Sequence, residues 1–317
     1  MSAGTVVVSS RSFGSGDDDP TADVEAAGHE VVRIDPAHDL DTVAASLADA
    51  VGWIAGTGPV TADHLAVAPH LRVVARYGVG VDAVDLAAAT GRGVVVTNTP
   101  GANADAVADH TIGLMLAVLR EVVAGDAAVR AGDWSRRRGR ELGACTVGIV
   151  GFGAVGRAVA RRLAGFGSDV LVHDPYLDDV GDAAVRPVDL PTLLAEADVV
   201  SLHAPGGSRP LVDADALAAM RPDAVLVNVA RASLVDEVAV ADALAAGRLG
   251  GHASDVVAAE HGASSPLLDA PRTVLTPHVA GQTVQAIDRM GRAATDDLLR
   301  VLAGQPPRHP VVATASP

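Results

Sequence analysis

The stretch Thr146-Val147-Gly148-Ile149-Val150-Gly151-Phe152-Gly153-Ala154-Val155-Gly156-Arg157 decides how this chain folds. Thr146–Val150 is a short apolar run of the kind that forms a buried strand. It feeds directly into Gly-x-Gly-x-x-Gly, and a helical pattern follows from about Arg157 to Ala164. A second apolar strand, Asp169-Val170-Leu171-Val172, leads to Asp174, about 20 residues beyond Gly151. Three spaced glycines alone say little. Set between strand, helix and strand, with an acid at the end of the second strand, they mark a dinucleotide site. Gly151 permits the tight turn, Gly153 lets the backbone approach a pyrophosphate, and Gly156 lets helix and strand pack closely. The helix N-terminus offers unpaired N–H groups and the positive end of its dipole. Asp174 can accept hydrogen bonds from both adenosine ribose hydroxyls. That favours NAD, because a 2′-phosphate there would meet a like charge.

The composition fits two such units. A chain of 317 residues has room for two domains, and 49% hydrophobic residues supply two cores. Aromatics are only 2%, so the cores must be built from small aliphatic side chains. A net charge of −15 argues against nucleic acid as a partner. Arg136-Arg137-Arg138 reads as a solvated loop. The single cysteine, Cys145, rules out an intrachain disulfide and fits a reducing compartment. With no leader-like N-terminus and no long apolar run, the expectation is a cytoplasmic protein without a membrane span.

Upstream of the glycine-rich unit, strands alternate with helical patterns. Thr5–Ser9, Glu30–Ile34, Gly52–Ala55, Val73–Arg76 and Val94–Thr97 read as strands, with a helix over Leu40–Ala50. This is the pattern of a parallel sheet, and without the fingerprint it reads as a separate α/β domain. One long helix is expected from about Ala104 to Ala131. Later strands are Val199–Ser201, Ala224–Val227 and Thr273–Leu275, and a last helix covers about Thr283–Leu302. The proline-rich segment from Gln305 onward is expected to be poorly ordered.

Three further segments carry chemistry. In Tyr77-Gly78-Val79-Gly80, glycines after a strand would let successive N–H groups point at a carboxylate, although an ordinary tight turn reads the same way. Asn228-Val229-Ala230-Arg231 closes a strand, where an arginine grips a carboxylate through its planar fork or serves a surface ion pair. Thr276-Pro277-His278 ends another strand, with Glu260 upstream. A carboxylate beside an imidazole favours the imidazolium and makes a proton donor usable near neutral pH. A structural histidine is the plainer alternative. No histidine or cysteine spacing suggests a metal site.

In order along the chain, these segments resemble the D-isomer-specific 2-hydroxyacid dehydrogenases, especially the phosphoglycerate dehydrogenase-like members. The resemblance runs through Arg76–Asp82, Asn98–Asn103, Val107–His110, the glycine-rich unit, Ser201–Pro205, Asn228–Glu237 and Leu275–Gly281. It implies an α/β protein of two Rossmann-like or flavodoxin-like parallel-sheet domains with a cofactor cleft between them. One domain would be discontinuous, 1–101 with 284–317, and bind substrate; 102–283 would bind NAD. The resemblance implies a catalytic set of Arg231, Glu260 and His278. It places Gly151, Gly153, Ala154, Val155, Gly156, Asp174, His203, Ala204, Pro205, Ala230, Asp255 and His278 at the cofactor. Tyr77, Gly78, Val79, Gly80 and Arg231 would hold the substrate.

The implied reaction moves a hydride between nicotinamide and C2 of a small 2-oxo or 2-hydroxy acid. A non-enzymatic NAD-sensing dimeric scaffold, or a formate or phosphite dehydrogenase, would use the same framework. The long helix would serve as hinge and homodimer contact. Ala232 stands where the family has glycine, His261 where it has proline, and Asp109 where it has glutamate. The arginine by which phosphoglycerate-handling relatives hold a phosphate aligns with Ala55, leaving Arg76 as the nearby cation.

Overall fold

The computed structural model describes residues 4–177, 181, 184–261 and 264–312; the side chains of Glu260 and His261 lie outside the described set. The chain divides into two compact units, 1–103 with 282–317, and 104–281.

In the first unit, β1 (Thr5–Val8), α1 (Thr21–Ala26), β2 (Glu30–Arg33), α2 (Leu40–Ala48), β3 (Ala50–Ala55), α3 (Ala62–Ala66), β4 (Val73–Arg76), α4 (Leu86–Gly91) and β5 (Val95–Thr97) follow one another. The five strands form a parallel sheet in the order β2-β1-β3-β4-β5, a doubly wound order whose direction reverses between β1 and β3. Val7, Trp53, Val74 and Val96 pack with Val43, Leu47 and Leu65 in its core. The helix expected to reach Ala50 stops at Ala48, because Ala50 already pairs with Thr5 in the sheet.

The second unit begins with α5 (Ala104–Leu119) and α6 (Val122–Arg130). The single helix expected over Ala104–Ala131 is therefore two. The break falls at Glu121, whose φ of 49° lies in the left-handed region and cannot continue a helix. No residue of α6 is buried, so no core holds its axis in line with α5. Then come β6 (Thr146–Val150), α7 (Ala154–Ala164), β7 (Asp169–His173), β8 (Arg186–Pro187), α8 (Leu190–Glu196), β9 (Val199–Leu202), α9 (Ala214–Ala219), β10 (Val225–Asn228), α10 (Glu237–Ala245), β11 (Gly251–Ser254) and β12 (Thr273–Leu275). These strands form a parallel sheet in the order β12-β11-β10-β9-β6-β7-β8. Its direction reverses between β6 and β9, which puts the turn after β6 at the topological switch point. Apolar clusters cover both faces, so its central strands are continuous apolar runs.

The chain then returns to the first unit in α11 (Val284–Leu302), which buries Met290, Ala294 and Leu298 and packs on β3, β4 and β5. The segment after it, expected to be loose, is tied down as far as it is described. Asp297 accepts hydrogen bonds from the N–H groups of Arg308 and His309, and Val311 N–H donates to Val96 O at 2.8 Å. Residues 313–317 lie outside the described set. Among the described residues no helix is long and apolar enough to cross a membrane, and no His, Cys, Asp and Glu group could hold a metal.

Candidate functional site

The turn after β6 is built by close approach. Gly151 has φ +90°, and a Cβ there would lie 2.7 Å from the His203 carbonyl carbon and 2.8 Å from Ala204 N. A Cβ on Gly156 would run into the Gly151 carbonyl oxygen. No described residue lies within 4 Å of a Cβ position on Gly153, which leaves space beside that backbone. Gly153 caps α7 without a side-chain bond, and the first turn holds no acid. The N-terminal N–H groups of an 11-residue helix are thus uncapped by side chains and uncompensated by carboxylates. That chemistry fits a pyrophosphate.

Asp174 follows β7 and braces this turn as well as facing it. Its Oδ2 accepts from Phe152 N–H at 2.8 Å and its Oδ1 from Tyr176 N–H at 3.0 Å. A carboxylate has about four lone-pair sites, so acceptor capacity remains for ribose hydroxyls. His203 follows β9, and its Nε2 lies 2.9 Å from Ser201 Oγ. Burial pushes this imidazole down to about 3, and its Nδ1 is buried with no partner among the described residues. An orphaned polar atom beside the glycine turn fits a ligand group that completes it. Pro205, after Ala204, begins an exposed loop over Gly206–Pro210.

Arg231, Glu260 and His278 follow the carboxyl ends of β10, β11 and β12, three neighbouring strands. Asn228, the last residue of β10, shapes the first of these turns. Its Nδ2 donates to Arg231 O at 2.8 Å and its Oδ1 accepts from Ala230 N–H at 3.1 Å. Arg231 has extended backbone and is half-buried, with Nη1 donating to Ala230 O at 2.7 Å. Ala232 opens a short 3₁₀ turn and has no positive φ, so this backbone does not demand the family's glycine. Glu260 lies in the 3₁₀ turn Ala258–His261.

Asp255 organises the His278 turn. It is 1% exposed, and its carboxylate accepts from Thr276 Oγ1 at 2.5 Å, Val279 N–H at 3.0 Å and Ala280 N–H at 2.8 Å. His110 Nε2, on α5, lies 3.5 Å from Asp255 Oδ1 and 3.0 Å from Thr276 Oγ1. Burial alone would raise the Asp255 carboxyl; these donors outweigh it and hold the group below the usual carboxylate range. His278 itself sits at φ 54°, where a non-glycine side chain is strained, and its N–H donates to Asp255 O at 2.9 Å.

The carboxyl edge of the first unit is organised by Arg76. This residue is 6% exposed; its Nη1 donates to Ala55 O at 3.1 Å and its Nε to Gly80 O at 3.0 Å. Arg76, beside Ala55, is thus bonded to backbone carbonyls. Gly78, at φ +143°, turns the loop, and its carbonyl accepts from Thr99 N–H at 3.0 Å. Asn98 Nδ2 donates to Val79 O at 2.8 Å. The carbonyls of Gly78, Val79 and Gly80 are all satisfied from within, while the N–H groups of Val79 and Gly80 donate to nothing among the described residues. The hydroxyl and N–H of Tyr77 are both engaged elsewhere. Burial pushes its phenol up to about 12, its hydroxyl donates to Ile287 O at 3.2 Å, and its N–H to Ala55 O at 2.9 Å.

Sequence reasoning gave Asn228, Thr276 and His110 no role of their own. Only Asn228 carried a local signal, an amide side chain at a strand end where Asx turns form.

A doubly wound sheet with a glycine-rich turn at its switch point defines a dinucleotide-binding α/β protein. Residues 112–280 match the model of the D-isomer specific 2-hydroxyacid dehydrogenase, NAD binding domain, and the chain belongs to that family. The D-3-phosphoglycerate dehydrogenase of Mycobacterium tuberculosis is 40% identical over 290 residues, 89% of this chain and 55% of the relative. A glyoxylate reductase of Thermofilum pendens is 38% identical over 265 residues, 79% of this chain and 78% of the relative. A solved structure from Thermus thermophilus superposes with a TM-score of 0.88 at 36% identity, covering 97% of this chain and 100% of that one. The chain spans about half the length of the first curated relatives it matches.

Proposed function

We propose that the chain is an NAD-dependent oxidoreductase acting at C2 of a small 2-oxo or 2-hydroxy acid, with residues 1–103 and 282–317 binding the substrate. Bound nicotinamide supplies the hydride in the reductive direction. The open N–H groups of Val79 and Gly80 receive the substrate carboxylate, and this pair of free donors carries the reading. Arg231 adds a charged fork to the carboxylate and polarises the C2 oxygen. His278 holds the proton that passes to that oxygen, and Glu260 supplies the negative charge that pairs with the imidazolium. Asp255 Oδ2, which accepts only Ala280 N–H among the described residues, retains capacity for the carboxamide.

The preferred substrate is unphosphorylated, such as glyoxylate or hydroxypyruvate. Ala55 carries no charge and Arg76 is bonded to carbonyls, so a charge-assisted contact worth roughly 1.5–3 kcal/mol is missing for a phosphate. Absorbance at the NADH band with glyoxylate, hydroxypyruvate, 3-phosphohydroxypyruvate, formate and phosphite tests this. Turnover of the first two is expected. About a hundredfold preference for the phosphorylated compound overturns the substrate assignment, and silence with every 2-oxo acid overturns the proposed reaction.

The chain forms a homodimer through α6 and the segment after it, where Val122, Val123 and Trp134 are 56%, 54% and 78% exposed. Light scattering checks this, and Val123→Asp with Trp134→Asp should yield the monomer.

A further inference from the structure

The chain passes between the two units twice, at Asn103–Ala104 and at Gly281–Gln282. His110 lies on the helix that starts at the first crossing, and Thr276 opens the segment that runs past His278 into the second. The two side chains meet at 3.0 Å, Nε2 to Oγ1. Their polarity is fixed by the next bond. The Thr276 hydroxyl gives its one proton to Asp255 Oδ1 at 2.5 Å, so its oxygen receives and His110 Nε2 must carry a hydrogen. The same N–H leans toward Asp255 Oδ1 at 3.5 Å.

We infer that His110 is a positioning residue for His278, locking the loop Thr276–Ala280 to α5 through Thr276 and Asp255. The loop needs such a lock because His278 adopts a strained backbone, which persists only where its surroundings over-determine it. Asp255 holds the loop from below through Val279 and Ala280, and its own backbone carbonyl holds His278 N–H. The bond from His110 supplies the lateral constraint and ties this network to α5. The lock therefore acts on both segments through which the units are connected. This inference rests on the proposed acid–base role of His278, and one arm of its test does not.

The test compares His110→Ala, His110→Gln and Thr276→Val in the full chain. For His110→Ala, kcat for glyoxylate reduction should fall about tenfold or more, with NADH affinity by fluorescence within about twofold and thermal midpoint little moved. His110→Gln keeps an N–H donor and should recover most of kcat. In the Thr276→Val background, His110→Ala should add almost nothing, because the pair acts as a unit. The independent arm is amide hydrogen exchange of the peptide spanning 276–281, which should speed up in His110→Ala and return toward the parent rate in His110→Gln. Parent-like kcat and exchange in His110→Ala overturn the lock, as does a Gln variant as damaged as Ala, or additive losses in the double variant. Faster exchange in a protein that turns over no 2-oxo acid keeps the lock and overturns the proposed function.

Discussion

The two sheets finish their carboxyl edges with hubs of opposite charge. At the first edge the buried cation Arg76 collects carbonyls, those of Ala55 and Gly80, while the N–H groups of Val79 and Gly80 find no acceptor among the described residues. At the second, the buried anion Asp255 collects donors, the N–H groups of Val279 and Ala280 and the Thr276 hydroxyl. A cationic hub thus manufactures a donor-rich turn suited to a carboxylate. An anionic hub fixes the turn that carries His278, the proposed proton donor. On the proposed reading the same α/β topology serves two chemistries, because each buried charge selects which backbone groups are consumed.

The comparison is tested hardest at the side chains that act. His278→Ala should lower kcat by about 10²–10⁴ while NADH binding holds, the usual scale for a lost acid–base group. Binding lost with turnover would mean that the second edge works through its backbone, as the first does. Arg231→Lys comes next. Charge is kept but the fork is lost, and kcat/KM for glyoxylate should fall by about 10²–10³. Near-normal kcat/KM would make Arg231 structural.

Arg76→Met strips the first hub. The buried carbonyl of Ala55 and the part-buried one of Gly80 lose their donor, the first at about 1–3 kcal/mol, so the unfolding midpoint should drop. In the folded fraction, KM for glyoxylate should rise about tenfold with NADH affinity unchanged. Weakened NADH binding would break the division of labour between the edges. Asp174→Ala should cut the preference for NAD over NADP about tenfold, read from the ratio of kcat/KM values. Equal use of both cofactors by the parent would remove the basis for that assignment.

The gentlest test is pH. Burial pushes His38 and His252 down to about 4 and His203 to about 3, so all three fold neutral. Their contribution to stability is complete above about 6.5, where the unfolded imidazoles are neutral too, and is lost as pH falls towards 4 and 3. Each proton taken up on unfolding within that window costs at most about 1.4 kcal/mol per pH unit. His38→Gln, on the first unit, and His252→Gln, on the second, should each flatten the slope by one proton in unfolding titrations. No change in slope for either would mean that its imidazole is already charged in the folded protein.

The glycine-rich turn was fully legible because its requirements are local: a strand, three glycines and an acid at fixed distance. Most strands were legible for the same reason, as runs of valine and leucine. Gly251–Ser254 was not, since Gly-His-Ala-Ser has no β-branched residue and is a strand only because β10 and β12 flank it. The end of α5 was missed because neither glycine nor proline marks Arg120–Glu121. Arg231, Glu260 and His278 were visible singly as candidates near strand ends, but only family resemblance joined them into one set, since nothing in their spacing does. Arg76 was visible as a cation beside the loop. That it faces inward to two carbonyls depends on bonds between β3 and β4, and the bond from His110 to Thr276 spans most of the second unit. No pattern in the chain encodes such distances.

Asp297 has one more consequence. β5 is the outer strand of its sheet, and an outer strand with free N–H and C=O groups is a template on which another chain can extend. Asp297, fully buried on α11, draws the chain after the helix back along β5, where Pro310 bridges Thr97 and Val311 bonds Val96. The covering segment carries prolines at 306, 307 and 310, which have no N–H to pass the ladder onward. One buried carboxylate therefore works as a guard against aggregation: Asp297→Ala would uncover a valine-rich edge and turn a self-contained fold into one that stacks upon itself.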